Sequence, residues 1–272
     1  MARAPLLLQE SLLFPYSEGL HFEQTVLVKK GREAAFAGTL ANPPSSSFEI
    51  MNPEAYMVHT PVPVLRLPDL HPLLDAEYAP YDLGVMGELD VRILAELFGG
   101  REIAQALAPA WAGGVYYAAQ RRSATPAEKQ TPGSLGLLYY SRWKNRDSAR
   151  SFLRVYAGEI ARKYSGVSRR QKDEADDTEQ VYTTSEGDVL LSISGRDVFV
   201  SEGFALPLAR KVRDSIASVQ GVGAVQTANA RPHELGLELA ADLGSMGLLK
   251  QPLAERYTHS GAVKSVSSGQ AR

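Results

Sequence analysis

The sequence contains no cysteine, which excludes disulfides, thiolate zinc sites and cysteine nucleophiles together. Its 272 residues include five histidines, so any metal centre would have to combine these with carboxylates. Charge of one sign is lacking too, because 29 Lys and Arg against 31 Asp and Glu leave a formal net charge of −2. Near neutrality the whole chain has no general attraction for a polyanion, and such a partner would need a local patch. No stretch approaches the roughly 18 consecutive apolar residues of a membrane span. Leu6-Leu7-Leu8 is interrupted by Gln9-Glu10, short of the roughly 7 to 15 apolar residues of a secretory signal. The expectation is a soluble chain without an export signal, cytoplasmic by default. Gly-x-Gly-x-x-Gly, phosphate-loop and Gly-x-Ser-x-Gly patterns are missing as well.

What is present is a core. Hydrophobic residues make up 44% of the chain, enough for one large domain or two small ones. The stretch from Gly84 to Trp143 organises the rest. Val85, Met86, Leu89, Ile93, Leu94, Leu97 and Phe98 recur at three- and four-residue steps, which predicts an amphipathic helix over Met86 to Phe98 stopped by Gly99-Gly100. Glu88 and Asp90 complement its positive end, and Glu88 is expected to cap the helix or pair with Arg92. Arg101 to Ala108 reads as a shorter helix ended by Pro109. Trp111-Ala112-Gly113-Gly114 reads as a turn, followed by strands at Val115 to Gln120 and Leu135 to Trp143. In the second strand Leu135, Leu137, Tyr139 and Trp143 share one face, with Tyr140 and Arg142 opposite.

Upstream, Pro5 to Leu13 and Tyr16 to Lys30 read as two helices separated by Phe14-Pro15, with a third short helix over Arg32 to Leu40. Prolines 61, 63, 68 and 72 favour an extended surface connector. Downstream, Asn145 or Asp147 can cap a helix over Ser148 to Tyr164. Ser165 to Glu179 reads as a polar loop. Val181 to Thr184, Val189 to Ile193 and Val198 to Val200 form a meander, and Pro207 to Val219 is a last helix. The expected fold class is α+β, with amphipathic helices packed on small antiparallel sheets. The expected organisation is an N-terminal helical section (1–56), a Pro-rich connector (57–80), an α+β core (81–219) and a weakly structured C-terminal segment (220–272).

Candidate chemistry is sparse. His233-Glu234-Leu235-Gly236-Leu237 begins like a metalloprotease H-E-x-x-H helix but has Leu237 where the second imidazole belongs. His21, His59, His71 and His259 are isolated. Glu10, Glu18 and Glu23 could supply carboxylates for acid and base work, although glutamates at such spacing on helices are far more often solvated. Between Arg142 and Lys172 lie ten Lys or Arg residues interleaved with Trp143, Phe152, Tyr156 and Tyr164, the composition of a nucleic-acid surface. The aromatics fall on the apolar stripe, however, and the acidic residues between Asp173 and Glu179 offset the charge, which disfavours nucleic acid.

Several segments in order resemble the C-terminal half of a family of bacterial zincin-like, metallopeptidase-like proteins. They are Phe14-Pro15-Tyr16-Ser17-Glu18-Gly19-Leu20-His21-Phe22, Asn42-Pro43-Pro44-Ser45-Ser46, Asn52-Pro53-Glu54-Ala55-Tyr56, Pro61-Val62-Pro63-Val64, Leu83-Gly84-Val85-Met86-Gly87-Glu88-Leu89, Trp111-Ala112-Gly113-Gly114-Val115-Tyr116 and Gly195-Arg196-Asp197-Val198-Phe199-Val200-Ser201-Glu202-Gly203. The resemblance implies a zinc-dependent peptidase-like fold whose H-E-x-x-H helix and later zinc-binding glutamate lie upstream of the matching region. No catalytic, cofactor-binding or metal residue therefore carries over to any position here, and zinc is expected only in the half that is not matched. The chain departs from the family at Asn52, where relatives tend to have His, and at Ala112 to Tyr116. Two readings stay open: a non-catalytic C-terminal portion, truncated or partnered with a separate zinc-bearing polypeptide, or an interaction module using the basic face from Arg142 to Lys172. In the first, loss of packing partners for Pro5 to Lys30 should leave an exposed apolar patch, suited to that polypeptide or to a homo-oligomer.

Overall fold

Residues 5–220, which the computed structural model describes, contain seven strands: β1 (Tyr78–Val85), β2 (Trp111–Arg121), β3 (Leu135–Trp143), β4 (Ser168–Arg169), β5 (Glu179–Thr184), β6 (Gly187–Ser194) and β7 (Asp197–Glu202). They join in one antiparallel sheet in the order β1-β2-β3-β7-β6-β5-β4. The hairpin around β2 and the meander from β5 to β7, separate in the sequence, are fused by β3 pairing with β7 from Leu137↔Glu202 to Arg142↔Asp197. The chain is thus α+β.

Helices flank this sheet: α1 (Leu6–Lys30), α2 (Thr39–Ala41), α3 (Ser47–Met51), α4 (Pro53–Met57), α5 (His71–Leu74), α6 (Glu88–Gly99), α7 (Arg101–Leu107), α8 (Arg146–Lys163) and α9 (Leu206–Ser218). Alternation along each strand sends side chains to two faces, and here both are apolar. Tyr116, Leu137, Tyr139, Trp143, Leu191 and Val200 form a first core with α6 and α8, to which Leu7, Phe14 and Phe48 also belong. Val115, Tyr117, Leu138, Tyr140, Leu190 and Phe199 form a second core with α9 and with Leu65, Leu70 and Leu74. The proline-containing segment thus supplies packing side chains to the sheet.

In the first core Phe152 of α8 is 1% exposed, with its ring centroid 4.7 Å from that of Trp143 and 5.8 Å from that of Tyr156. Asn145, rather than Asp147, caps this helix, its side-chain oxygen accepting from the Ser148 N–H at 2.8 Å. At the start of α6 the cap is Asp90, whose carboxylate accepts from the Gly87 N–H at 2.6 Å, so the capping role expected of Glu88 belongs to its neighbour.

Other expectations are corrected. Phe14-Pro15 does not separate two helices; α1 runs through Pro15. An internal proline costs about 3 kcal/mol, but buried Leu7 and Phe14 on one side of it and Phe22 and Val26 on the other anchor both halves. Trp111 to Gly114 is the start of β2, with a register shift between Trp111 and Gly114. A Cβ on Gly114 would lie 2.7 Å from the Met86 carbonyl oxygen, so glycine there permits the close approach of the chain entering α6. β1 was not expected, its first residues falling in the expected connector (57–80); at the sheet edge Pro80 is tolerated, and the register shifts between Pro80 and Asp82. The expected polar loop over Ser165 to Glu179 contains β4, paired with β5. The expectation for 220–272 lies, apart from Gln220, outside the described residues.

Gly203 has φ +76°, and a Cβ there would meet the Leu135 carbonyl oxygen at 2.8 Å. Gly203→Ala should therefore destabilise the fold by about 2 kcal/mol through strain and overpacking. Gly19, inside α1, has nothing within 4 Å of an added Cβ, so Gly19→Ala should stabilise by roughly 0.5–1 kcal/mol. Urea unfolding of the two variants beside the parent checks both signs.

Candidate functional site

The residues singled out as candidate acids, bases or ligands are dispersed or engaged. His21, His59 and His71 are exposed, and His71 Nδ1 lies 3.0 Å from the Asp75 carboxylate. His233 and His259 lie outside the described residues. Among the described residues no three His, Asp or Glu side chains are placed to hold a metal ion. Glu18 accepts from Arg92 Nη1 at 2.5 Å, and Glu10 lies 3.7 Å from the same guanidinium, so both carboxylates join α1 to α6. Glu23 stands apart from that pair, with one carboxylate oxygen buried and without a hydrogen-bond partner. Glu88, 4% exposed, accepts from Asn52 Nδ2 at 2.6 Å, and burial pushes its carboxyl above the ordinary range against the opposing effect of that hydrogen bond. Arg92, the partner expected for Glu88, is thus held by Glu18 and Glu10.

Five of the ten Lys and Arg residues of the basic segment are engaged by carboxylates. Arg142 pairs with Asp197, Arg162 with Glu159, Lys163 with Glu202, Arg169 with Glu174, and Arg170 with Asp173 and Asp188. Of these, Lys163–Glu202 ties α8 to β7 and Arg170–Asp188 ties the segment after α8 to β6.

Among the described residues, exposed large apolar side chains are concentrated on α1. Leu7, Phe14, Phe22 and Val26 are buried, yet Leu8, Leu12, Tyr16 and Leu20, spaced by four residues, form a second stripe on the outer side. Leu12 is 70% exposed, Tyr16 78% and Leu20 59%, and Leu13, Leu27 and Val28 are exposed beside them. A helix docked on one core ordinarily presents polar residues to water. Contiguous apolar exposure of this kind marks an interaction surface.

Two buried ionic sites on opposite faces escaped sequence reasoning. On the first face Glu202, fully buried, accepts from the Tyr156 hydroxyl at 2.8 Å, the Tyr164 hydroxyl at 2.6 Å and Lys163 Nζ. Lys163 Nζ also lies 4.9 Å from the centre of the Tyr156 ring. Burial, and then the Glu202 charge, pushes both tyrosine hydroxyls far above their ordinary range, so they act as donors at all accessible pH. On the second face Glu179, 2% exposed, accepts from Arg210 Nη2 at 2.6 Å, from Arg213 Nη1 and from the Ala175 N–H at 3.1 Å. Period-two alternation offered a signal for both, because Glu202 shares the face of Val198 and Val200, and Glu179 that of Val181.

Comparison of the chain with protein-family models, curated proteins and solved structures found no match. No helix among the described residues is long and apolar enough to cross a membrane.

Lys163→Met would leave the Glu202 carboxylate buried without its cation and should cost about 3–5 kcal/mol. Replacing both residues together, as Lys163→Met with Glu202→Leu, should recover most of that loss, as a double-mutant cycle in denaturant would show. Glu179 gives a pH dependence. Burial alone would raise its carboxyl, but the hydrogen bonds from Arg210, Ala175 and Arg213 outweigh it and hold it at about 2, below the ordinary 4.5. A depressed folded-state value stabilises the fold above the ordinary pKa, and the gain is lost as pH falls toward the folded one. Up to roughly 3 kcal/mol should disappear between about pH 4.5 and 2. Denaturant titrations across that window should show a shallower acid limb for Glu179→Gln than for the parent chain.

Proposed function

We propose that the chain is a non-catalytic scaffold, akin to the C-terminal part of a zincin-like metallopeptidase, which docks through the outer face of α1 on a zinc-bearing polypeptide. The observation that carries this reading is the exposed stripe of Leu8, Leu12, Tyr16 and Leu20. Burying side chains of this size contributes roughly 1.5–3 kcal/mol each, enough in combination for a specific interface. The engagement of Glu10 and Glu18 by Arg92, and of Glu88 by Asn52, supports a structural use of these carboxylates. The alternative, nucleic-acid binding along Arg142 to Lys172, is weakened by the carboxylate partners of Arg142, Arg162, Lys163, Arg169 and Arg170.

Alone, the chain should self-associate with concentration and bind an environment-sensitive apolar dye. It should also co-purify with a co-expressed polypeptide bearing an H-E-x-x-H helix. Combining Leu12→Glu, Tyr16→Glu and Leu20→Glu should abolish all three behaviours while shifting the thermal midpoint little, since these side chains lie outside the core. Light scattering, dye fluorescence and metal analysis of the chain purified without chelator provide the readouts. A monodisperse parent chain that is dye-silent and ignores the zinc-bearing polypeptide would overturn the reading, as would near one zinc per isolated chain.

A further inference from the structure

Three arginines of α8 stand outside the ion pairs of the basic segment. Arg146, Arg150 and Arg154 are exposed, and no carboxylate among the described residues pairs with them. Arg154 donates to Ser151 Oγ at 3.2 Å. Spaced by four residues, the three guanidinium groups form one row along the outer side of the helix. Asp147, the acidic residue within that stretch, sits in the first turn, where it complements the helix end. Gly158 continues the row. It is exposed, with nothing within 4 Å of an added Cβ, although glycine inside a helix is costly. No packing among the described residues requires it, so the open position suits a segment lying against the helix from outside.

The sequence beyond Gln220 carries the complement. Glu234, Glu238, Asp242 and Met246 recur at the same four-residue step, so at helical periodicity three acids and then a large apolar side chain match three arginines and then glycine. The match stops there: the next step would set Lys250 against Arg162, which Glu159 already holds. Leu235, Leu239 and Leu243 follow the three acids and supply an apolar stripe of the same period, while half-buried Val155 and Ala157 flank the arginine row. The place from which the chain departs also fits. Gln220 is bonded to the Arg66 backbone, and Ala217 lines a cavity with Ser194 and Asp197 at the turn between β6 and β7. In that turn the Arg196 carbonyl accepts from the Trp143 N–H at 3.0 Å, beside the start of α8. The chain thus leaves the described residues at the end of the sheet where α8 begins. Residues 221–233 can span up to about 45 Å, ample to round a sheet with a helical layer on each face. Exposed ion pairs are individually weak, but tethering raises the local concentration of the segment to the mM range.

We infer that residues 234–246 lie along the outer face of α8 of their own chain and parallel to it. Glu234 meets Arg146, Glu238 meets Arg150, Asp242 meets Arg154, and Met246 covers Gly158, closing the free basic row to polyanions. Because the chain has no cysteine, introduced thiols report this geometry in the full chain. Gly158→Cys with Met246→Cys should form an intrachain disulfide under mild oxidation about fivefold or more faster than Gly158→Cys with Ser260→Cys. Raised salt should narrow the difference. Arg146→Glu, Arg150→Glu and Arg154→Glu together should bring the matched pair to the control rate. Adding Glu234→Lys, Glu238→Lys and Asp242→Lys should restore it, a recovery that damage to α8 could not produce. Equal rates for the matched and control pairs, or no recovery in the combined variant, would overturn the inference. Disulfides formed between chains in place of within them would also overturn it, assigning the row to a second copy. So would binding of a DNA duplex by the parent chain as tightly as by a chain carrying Glu234→Gln, Glu238→Gln and Asp242→Asn, because the row would then stand open.

Discussion

Placement of α8 against the sheet depends on one carboxylate. Glu202 closes β7 on the first face, where Val198 and Val200 are fully buried, and an ionised carboxylate at that depth is tolerable only with its partners in place. Those partners are Tyr156, Lys163 and Tyr164, all from α8 or the residue that ends it. An apolar pair could slide past its neighbour with little loss, whereas this site is satisfied in one register of helix on strand. The aromatic contacts of Phe152 with Trp143 and Tyr139 supply area; the ionic site supplies position. Because β7 is also the strand that joins β3 to the meander, the same carboxylate indirectly sets how the two halves of the sheet are held.

A sheet covered on both faces has consequences for everything outside it. Antiparallel sheets commonly leave one face to water, but here α6 and α8 cover one side while α9 and residues 65–74 cover the other. Core packing is then complete around the sheet without further apolar surface. The outer stripe of α1 lies beyond both cores, and its leucines find no use within residues 5–220. Its exposure is therefore a property of the surface and is independent of the stability of the sheet. This separation is what makes charge substitutions on α1 informative about association alone.

The legible parts of the sequence were those in which periodicity and local signals agreed. Met86 to Phe98 and Ser148 to Tyr164 carried both a stripe and a cap or stop signal, and they correspond to α6 and α8 within a residue or two at most ends. Leu135 to Trp143 is β3 with the expected division of faces. Where one residue type dominated the reading, tertiary context overrode it: Pro15 sits inside α1 and Gly113-Gly114 inside β2. None of those outcomes is local. Pro15 is tolerated because packing on either side holds α1, and Gly114 is needed because Met86 comes close from elsewhere in the chain. The partners of the two buried carboxylates were illegible for the same reason. Glu179 meets Arg210 and Arg213 across 31 and 34 residues, a separation at which no spacing rule operates.

The two buried carboxylates also differ in kind. Glu202 is met by tyrosine hydroxyls and one lysine in a site lined by aromatic rings. Glu179 is met by guanidinium groups that are themselves about a quarter exposed, and it forms part of a cavity wall. The Glu202 site is buried together with its partners, so its strength goes into holding α8. A site open on one side keeps its charge in communication with water and solutes through the low-dielectric wall, where fields are weakly screened. The near-zero net charge of the chain conceals this. Arg210 and Arg213 are held by the buried Glu179, and Asp176, Asp197 and Asp214 line the same cavity.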